Sequence, residues 1–328
     1  MKAKIIANKI GIIAISTVWL IYLNGCGGPI MSEKEEEAAY WEHLKPVDPT
    51  VPNGNIVFTR SVTGGTDIFL YGTPTDDGHN LTNLGSGRNE QPAISPDNTK
   101  IAFVSRRDGN AEIYVMNLDG TSVKRLTNNS AWDLHPAWSP DGTKLAFVST
   151  RNGVRNIYSM AAADGANVTR ITSNTRNDDS PSWSPDGMEI VYSSEMGSSL
   201  ESPVPRLFKI KIDGTGQMML SKTSTEHEIE PSWSALNIIA YTRSSVADGA
   251  QIYTMKPDGS QVTKLTSDAG GWHPNWSDGG ATIAFVSDRT STIRVFTMLS
   301  SGTNILQLVT KTAMEFEPDW GTSTPAPK

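Results

Sequence analysis

Acidic and histidine side chains recur just ahead of a proline that repeats along the chain. The six prolines follow one another at intervals of 44, 45, 50, 43 and 44 residues: Pro92, Pro136, Pro181, Pro231, Pro274 and Pro318. The positions three residues and one residue before each proline hold six acids and no Lys or Arg: Asn89, Gln91, Asp133, His135, Asp178, Ser180, Glu228, Glu230, Gly271, His273, Glu315 and Glu317. The chain's overall composition of 35 acids in 328 residues would place about one acid there, so the pattern predicts a locally negative surface.

Converging carboxylates attract cations and basic peptides. The candidate site therefore consists of Asp133, His135, Asp178, Glu228, Glu230, His273, Glu315 and Glu317. Ca²⁺ takes six to eight hard oxygen ligands and is the one cofactor that this set suggests. The histidines lack the His-x-His or His-Glu-x-x-His spacing of a catalytic transition-metal site. The alternative is that the acids cap turns or pair with arginines of neighbouring loops, such as Arg107, Arg151, Arg243 and Arg289.

Each repeat contains four short runs with strand character. In one repeat the runs are residues 136–139, 145–149, 156–160 and 168–172, with Asp-Gly turns between several of them. The second run carries an aromatic residue in register in all six repeats, and so does the third: Phe58, Phe103, Phe147, Tyr192, Tyr241 and Phe285, then Phe69, Tyr114, Tyr158, Phe208, Tyr253 and Phe296. Four strands per period of about 45 residues predict the blades of a β-propeller.

The phase of the repeats predicts how the propeller closes. The first unit starts at a second strand, residues 55–58, and the last unit stops at a first strand, residues 317–320. The C-terminal strand is thus expected to complete the first blade, which leaves no open sheet edge. The fold prediction is an all-β, six-bladed propeller over residues 54–320, monomeric, with a flexible tail at 321–328.

The segment Trp138-Ser-Pro-Asp-Gly, then Lys144 to Ser149, then Ile157-Tyr158 resembles the WD-like repeats of TolB and its relatives. The resemblance covers about residues 54–320. TolB itself has an additional N-terminal α/β domain, which this chain does not match, so the resemblance implies a TolB-like propeller and not the whole role of TolB. Ions in the channels of TolB-like propellers agree with the Ca²⁺ expectation.

Strand alternation assigns the candidate residues to one face. Side chains at even distances from the proline, such as Leu134 and Trp138, are expected in the core, and those at odd distances are expected to line the channel and its mouth. A longer loop at residues 195–205, on the same face, is a candidate partner surface.

The N-terminal residues predict export. Three lysines precede an apolar run from Ile10 to Leu23, which is too short for a stable transmembrane helix and is typical of a signal peptide, residues 1–25. The run ends at Asn24-Gly25-Cys26, which resembles a lipobox, so Cys26 is expected to carry a lipid that anchors the chain to a bacterial membrane. Ordinary cleavage and an uncleaved anchor are the alternatives. Residues 26–53 read as a lipid-anchored stalk.

Charge excludes one class of partner. Removal of the signal peptide leaves 25 basic against 35 acidic residues, which argues against a nucleic-acid ligand. The function predicted is a non-enzymatic binding or scaffold lipoprotein of the cell envelope that docks a protein or basic peptide at the acidic channel mouth. The alternatives are a propeller enzyme, either a metal-dependent lyase or a hydrolase, and a carbohydrate-binding module that uses Trp132 and Trp272; the expectation for these two tryptophans is burial. No Gly-x-Ser-x-Gly elbow supports a hydrolase.

Overall fold

A computed structural model describes residues 54–72, 78–83, 87–196, 204–222, 225–308 and 313–321. Every regular element in these ranges is a β-strand, which confirms the all-β prediction. No helix in the described part of the chain has the length and apolar character needed to cross a membrane. The predicted signal peptide, Cys26, the stalk, most of the loop at 195–205 and all but the first residue of the tail lie outside the described residues.

One sheet contains eight strands in the order β24-β1-β2-β4-β5-β6-β7, with β3 paired to β2. A short parallel contact between β2 and β4 joins its two halves, and β24 pairs with β1 in antiparallel register. The strands are β1 (Ile56–Val62), β2 (Gly65–Tyr71), β3 (His79–Asn80), β4 (Gly87–Ile94), β5 (Lys100–Ser105), β6 (Glu112–Asn117), β7 (Lys124–Arg125) and β24 (Glu315–Trp320).

Four further sheets each contain four antiparallel strands in chain order, as expected of propeller blades. Their strands are β8 (Asp133–Trp138), β9 (Lys144–Ser149), β10 (Asn156–Ala161) and β11 (Thr169–Arg170); β12 (Asp178–Trp183), β13 (Glu189–Met196), β14 (Val204–Lys211) and β15 (Met218–Met219); β16 (His227–Trp233), β17 (Ile239–Ser245), β18 (Gly249–Met255) and β19 (Thr263–Lys264); and β20 (Trp272–Trp276), β21 (Thr282–Ser287), β22 (Arg294–Leu299) and β23 (Leu306–Gln307). Four separate four-stranded blades are therefore present, and the count of six stays a prediction.

Aromatic pairs form the repeated centre of the sheets. Phe147 on β9 lies opposite Tyr158 on β10, with ring centroids 5.9 Å apart, and each of the other five predicted pairs has the same cross-strand register at 5.8–6.0 Å. In the same repeat, Thr172, two residues after β11, accepts a hydrogen bond from the third strand: the Ile157 amide donates to Thr172 Oγ1 at 2.9 Å. The aromatic periodicity in the sequence thus reports a packing unit that recurs in each repeat.

Neighbouring sheets are also joined by hydrogen bonds near the Ser-Pro-Asp-Gly turn that repeats along the chain. The indole of Trp138 donates to the carbonyl of Ala93 at 2.9 Å, and that of Trp183 donates to Ala137 at 3.0 Å. Trp233 departs from this pattern and donates within its own turn, to Asn237 Oδ1 at 2.8 Å. This is the repeat in which Ser234-Ala-Leu-Asn replaces Ser-Pro-Asp-Gly.

A glycine in the outer turns permits close contact between sheets. Gly165 has φ +78°, and a Cβ at this residue would lie 2.2 Å from the Leu126 carbonyl oxygen of the preceding sheet. Both the left-handed backbone and the close approach exclude other residues here.

Candidate functional site in a central cavity

The segments around the six repeated prolines line one cavity of about 410 Å³. Each segment contributes the residue before the proline, the proline itself and at least two of the residues that follow it. The residues before the proline, named here the axial set, are Gln91, His135, Ser180, Glu230, His273 and Glu317.

A β-bulge at the axial set determines which side chains reach this cavity. All six residues have a left-handed backbone, with φ between 47° and 56°. In each first strand the register with its neighbour shifts at this point; Leu134 pairs with Val148, whereas Ala137 pairs with Ala146. Because a bulge inserts one extra residue, side chains on its two sides no longer follow a single alternation. The residues three before the proline therefore face away from the cavity.

Those residues, named here the buried set, are Asn89, Asp133, Asp178, Glu228, Gly271 and Glu315. The prediction that Asp133, Asp178, Glu228 and Glu315 line the channel mouth is wrong, because all four are fully buried. The bulge is the physical reason, since the period-two argument assumed an unbroken strand. Of the predicted site residues, the structure brings His135, Glu230, His273 and Glu317 to the cavity.

Three of the four buried acids pair with arginines, as the alternative stated in the sequence analysis predicted. Asp133 accepts from Arg151 Nη2 at 3.1 Å, Glu228 from Arg243 Nη2 at 2.6 Å, and Glu315 from Arg60 Nη2 at 2.8 Å. Burial raises the pKa of Glu315, although the Val295 amide and Arg60 act against this.

Asp178 has amide partners instead of an arginine. Asn174 Nδ2 donates to it at 2.8 Å and Asn156 Nδ2 at 3.4 Å. Burial raises the pKa of its carboxyl group above the ordinary value, against the opposing effect of these and hydroxyl hydrogen bonds. The buried set is therefore structural.

Glu230 and His273 form one half of the charged lining. Glu230 Oε2 accepts from the His273 backbone amide at 2.9 Å and from Thr242 Oγ1 at 2.8 Å, and its Oε1 lies 2.7 Å from His273 Nε2. Glu317 makes the same kind of contact: like Glu230, it accepts a hydrogen bond from the backbone amide of an axial-set residue in another repeat. Its Oε2 accepts from the Gln91 amide at 2.8 Å and from Thr59 Oγ1 at 2.9 Å.

His135 lies between Gln91 and Asp179. Its Nδ1 is 2.5 Å from Asp179 Oδ1, and its Nε2 is 2.5 Å from Gln91 Nε2. Burial lowers the pKa of His135, but the carboxylate of Asp179, aided by Glu317 and Glu230, outweighs burial and places the pKa above its ordinary value. Conversely, burial raises the pKa of Asp179, and His135 and Arg155 more than offset this, so that it lies below its ordinary value.

Asp319, one residue after its proline, adds a further carboxylate to the cavity lining. Its Oδ2 accepts from the Ile94 amide at 2.6 Å. Burial raises the pKa of Asp319 to about 6, since the hydrogen bonds from Ile94, Asn275 and Trp320 offset only part of the desolvation. The equivalent residues in other repeats are small and neutral, namely Ala93, Ala137, Ser182, Ser232 and Asn275.

The sequence reasoning missed Asp179 and the acidity of Asp319. Asp179 stands two residues before its proline, where four of the other repeats have an apolar residue and one has Glu90, so its polar character was an available signal. Asp319 lies at an odd distance from its proline, so the alternation argument placed it on the channel face without singling out its charge.

The arrangement suits binding of a cationic group better than chelation of a metal. Glu230 and Glu317 already accept hydrogen bonds from backbone amides and hydroxyls. Among the described residues, no group of three or more His, Cys, Asp or Glu is placed to hold a metal ion. The residues present therefore do not fit a Ca²⁺ ion, whose six to eight oxygen ligands would have to converge.

The two tryptophans of the carbohydrate alternative differ in exposure. Trp132 is 51% exposed and stacks with the guanidinium of Arg106 at 5.4 Å, so the expectation of burial is wrong for it. Trp272 is half-buried.

Comparison with known proteins agrees with this geometry. Residues 50–244, more than half of the chain, match the profile of the TolB beta propeller domain. A "Protein TolB homolog" from Chlorobium luteolum is 37% identical over 73 residues, which are 22% of this chain and 16% of that protein. The crystal structure of TolB from Acinetobacter baumannii superposes with a TM-score of 0.72 at 20% identity, covering 87% of this chain and 70% of that one. A putative TolB from Agrobacterium tumefaciens gives 0.62 at 21% identity, with 83% and 93% covered.

Proposed function

The chain belongs to the TolB β-propeller domain family, and from this premise we propose that it is a non-enzymatic binding protein of the bacterial cell envelope. It docks a protein or a basic peptide at its central cavity. Propellers of this family offer a rigid ring of loops and an axial channel, which suits a scaffold for protein partners.

The proposal includes six blades in a closed, monomeric ring. The two halves of the eight-stranded sheet correspond to two blades, β24-β1-β2-β3 and β4-β5-β6-β7, linked by the short β2–β4 contact. Pairing of β24 with β1 supports closure, and so do two hydrogen bonds from the second repeat to the last strand, Ile94 to Asp319 and Gln91 to Glu317.

The observation that carries the binding proposal is the charge of the cavity lining. Glu230 and Glu317 line the cavity, and Asp179 contacts His135, which also lines it. The basic side chains near these three acids are His135, His273 and Arg155. At neutral pH a lining of this kind attracts an ammonium or guanidinium group, and desolvation in a cavity strengthens that attraction.

A titration with a short lysine-rich peptide tests the proposal. The double variant Glu230→Gln/Glu317→Gln keeps an oxygen for each amide donor but removes both charges. We expect the dissociation constant measured by calorimetry to rise at least about tenfold, and the wild-type affinity to fall as salt is added. The matched control is Asp119→Asn, an exposed turn acid whose amide retains the acceptor for Thr121. Equal affinities in wild type and double variant would refute binding at the cavity.

Export and anchoring are part of the same proposal. Cys26 carries the lipid, residues 26–53 act as a spacer, and the propeller lies on the periplasmic or cell-surface side. Metabolic labelling with a fatty-acid probe should mark the wild type and not Cys26→Ser, and the variant should leave the membrane fraction. Labelling of Cys26→Ser equal to that of the wild type would contradict this.

A carbohydrate ligand is the second candidate, and the exposed ring of Trp132 favours it. A flat aromatic face beside Arg106 is a stacking platform for a sugar ring. Trp132→Ala should then abolish retention on peptidoglycan or polysaccharide columns while leaving lysine-peptide binding unchanged. No described residue set favours a lyase or hydrolase.

A further inference from the structure

Five repeats carry an arginine stacked on their own aromatic pair: Arg60, Arg107, Arg151, Arg243 and Arg289. The guanidinium carbon lies 4.4–5.6 Å from the two ring centroids in every case. Stacking of this kind fixes the plane of the guanidinium group and leaves its edge to hydrogen-bond in one direction.

In four of these repeats the edge of the guanidinium group hydrogen-bonds to a residue of the buried set. Arg60, Arg151 and Arg243 pair with the carboxylates of Glu315, Asp133 and Glu228, and Arg107 Nη2 donates to Asn89 Oδ1 at 3.2 Å. The acceptor always stands three residues before the proline. The repeat thus builds a slot for a carboxylate or an amide oxygen.

The repeat of Arg289 has the arginine but lacks the acceptor. Gly271 stands three residues before Pro274, where the others have Asp, Glu or Asn. Arg289 is 14% exposed; its Nε donates to Ser287 Oγ at 3.1 Å, and its buried Nη2 has no hydrogen-bond partner among the described residues. A buried guanidinium N–H without an acceptor is costly, so this nitrogen favours any acceptor that reaches it.

Two acids lie near the slot without filling it. Asp268 is 73% exposed, and its Oδ1 stays 4.0 Å from Arg289 Nη2, beyond hydrogen-bonding distance. Asp288 precedes Arg289 and lies on the exposed surface beside Gly270. The two carboxylates weaken the positive potential at Arg289. A ligand must therefore place an acceptor oxygen within hydrogen-bonding distance of Nη2, because attraction by charge alone is reduced.

We propose that the slot formed by Gly271 and Arg289 binds the carboxylate of a ligand, in the place that Asp133, Glu228 and Glu315 occupy in their own repeats. Neither residue lines the central cavity, so this site is separate from the one that binds the cationic group. A Cβ at Gly271 would lie 3.2 Å from Ile252 Cγ1 and from Thr266 Oγ1, so these two side chains border the position from which the other repeats extend their acceptor. Carboxylate and guanidinium form the strong, charge-assisted pair that three sister repeats already use.

The test titrates the full-length chain with sodium acetate at constant ionic strength, and follows the ¹H–¹⁵N signals of the arginine Nε–H groups and the Trp272 indole. A second arm uses a short neutral peptide with a free C-terminal carboxylate and the same peptide as its amide. Saturable shifts of Arg289 and Trp272 with acetate indicate a small acid as sufficient ligand. Shifts with the free-acid peptide alone indicate a chain terminus.

Three variants make the result specific. Arg289→Gln should weaken the response at least about tenfold. Gly271→Asp should abolish it and move the Arg289 Nε signal toward that of Arg151, because the chain then supplies its own carboxylate, whereas Gly271→Ala controls for the added Cβ. In the opposite direction, Asp133→Gly should create a second acetate response at Arg151.

The proposal is overturned if neither acetate nor the free-acid peptide gives saturable shifts in the wild type. It is also overturned if Arg289→Gln binds as tightly as the wild type, or if the amide peptide binds as well as the free acid.

Discussion

Glu228 and Glu230 are two residues apart on the same strand but differ in burial, in hydrogen-bond partner and in the surface that they face. Glu228 is fully buried and bound to Arg243, whereas Glu230 lines the central cavity and lies beside His273. Glu230 is itself the left-handed residue of the bulge, whereas Glu228 lies on the regular part of the strand before it. A bulge can therefore divide one acidic pattern into acids that pair with arginines inside the sheet and acids that face the central cavity.

The largest effect is expected from the buried member. Glu228→Ala leaves the guanidinium of Arg243, only 13% exposed, without its main carboxylate, and should lower the free energy of unfolding by about 3–5 kcal/mol. Urea denaturation at pH 7 measures it. The control is Glu226→Ala, which removes a carboxylate 3.5 Å from the same arginine but 29% exposed, with an expected loss below about 1 kcal/mol. Similar losses in both variants would contradict the distinction.

The cavity member should matter less for stability. Glu230→Ala removes the acceptor for the His273 amide and for Thr242, and should cost about 1–2 kcal/mol. Glu230→Gln should restore most of this, because the amide oxygen still accepts. A loss equal to that of Glu228→Ala would show that both acids are structural.

Asp319 gives the cavity a pH dependence of its own. Its pKa is raised to about 6 from 3.8, so the folded state binds the proton more tightly, and stability should rise as pH falls from above 6 toward 4. Asp319→Asn keeps an acceptor for Ile94 and removes the charge. We expect it to stabilise the protein on the order of 1 kcal/mol at pH 8 and hardly at pH 4. Equal stabilisation at both pH values would contradict a proton-linked origin.

The smallest effect is expected at His135. Its raised pKa means that the charged form adds stability below pH about 6.5, and that this contribution is lost as pH rises through the higher pKa of the folded state. In the Asp319→Asn background, His135→Gln should remove the remaining fall in melting temperature between pH 6 and pH 8. An unchanged fall would assign it to another group.

The sequence predicted the parts of the fold that repeat with a side-chain signature. The aromatic pairs, such as Phe147 and Tyr158, predicted the second and third strands of each repeat, because the packing between these two strands uses an aromatic residue from each. The bulge had no such signature, since its left-handed positions are filled by Gln, His, Ser and Glu instead of glycine. The acids three residues before the proline, such as Asp133 and Glu228, were therefore assigned to the wrong face, while the residues adjacent to the proline were assigned correctly.

Modification of carboxylates by a water-soluble carbodiimide and an amine, followed by mass spectrometry, tests the division between the two sets most directly. Glu230 and Glu317 should react in the folded protein and be protected by the lysine-rich peptide. Asp133, Glu228 and Glu315 should react only after unfolding. Reaction of Glu228 or Asp133 at the rate of Glu230 in the native state would contradict the account.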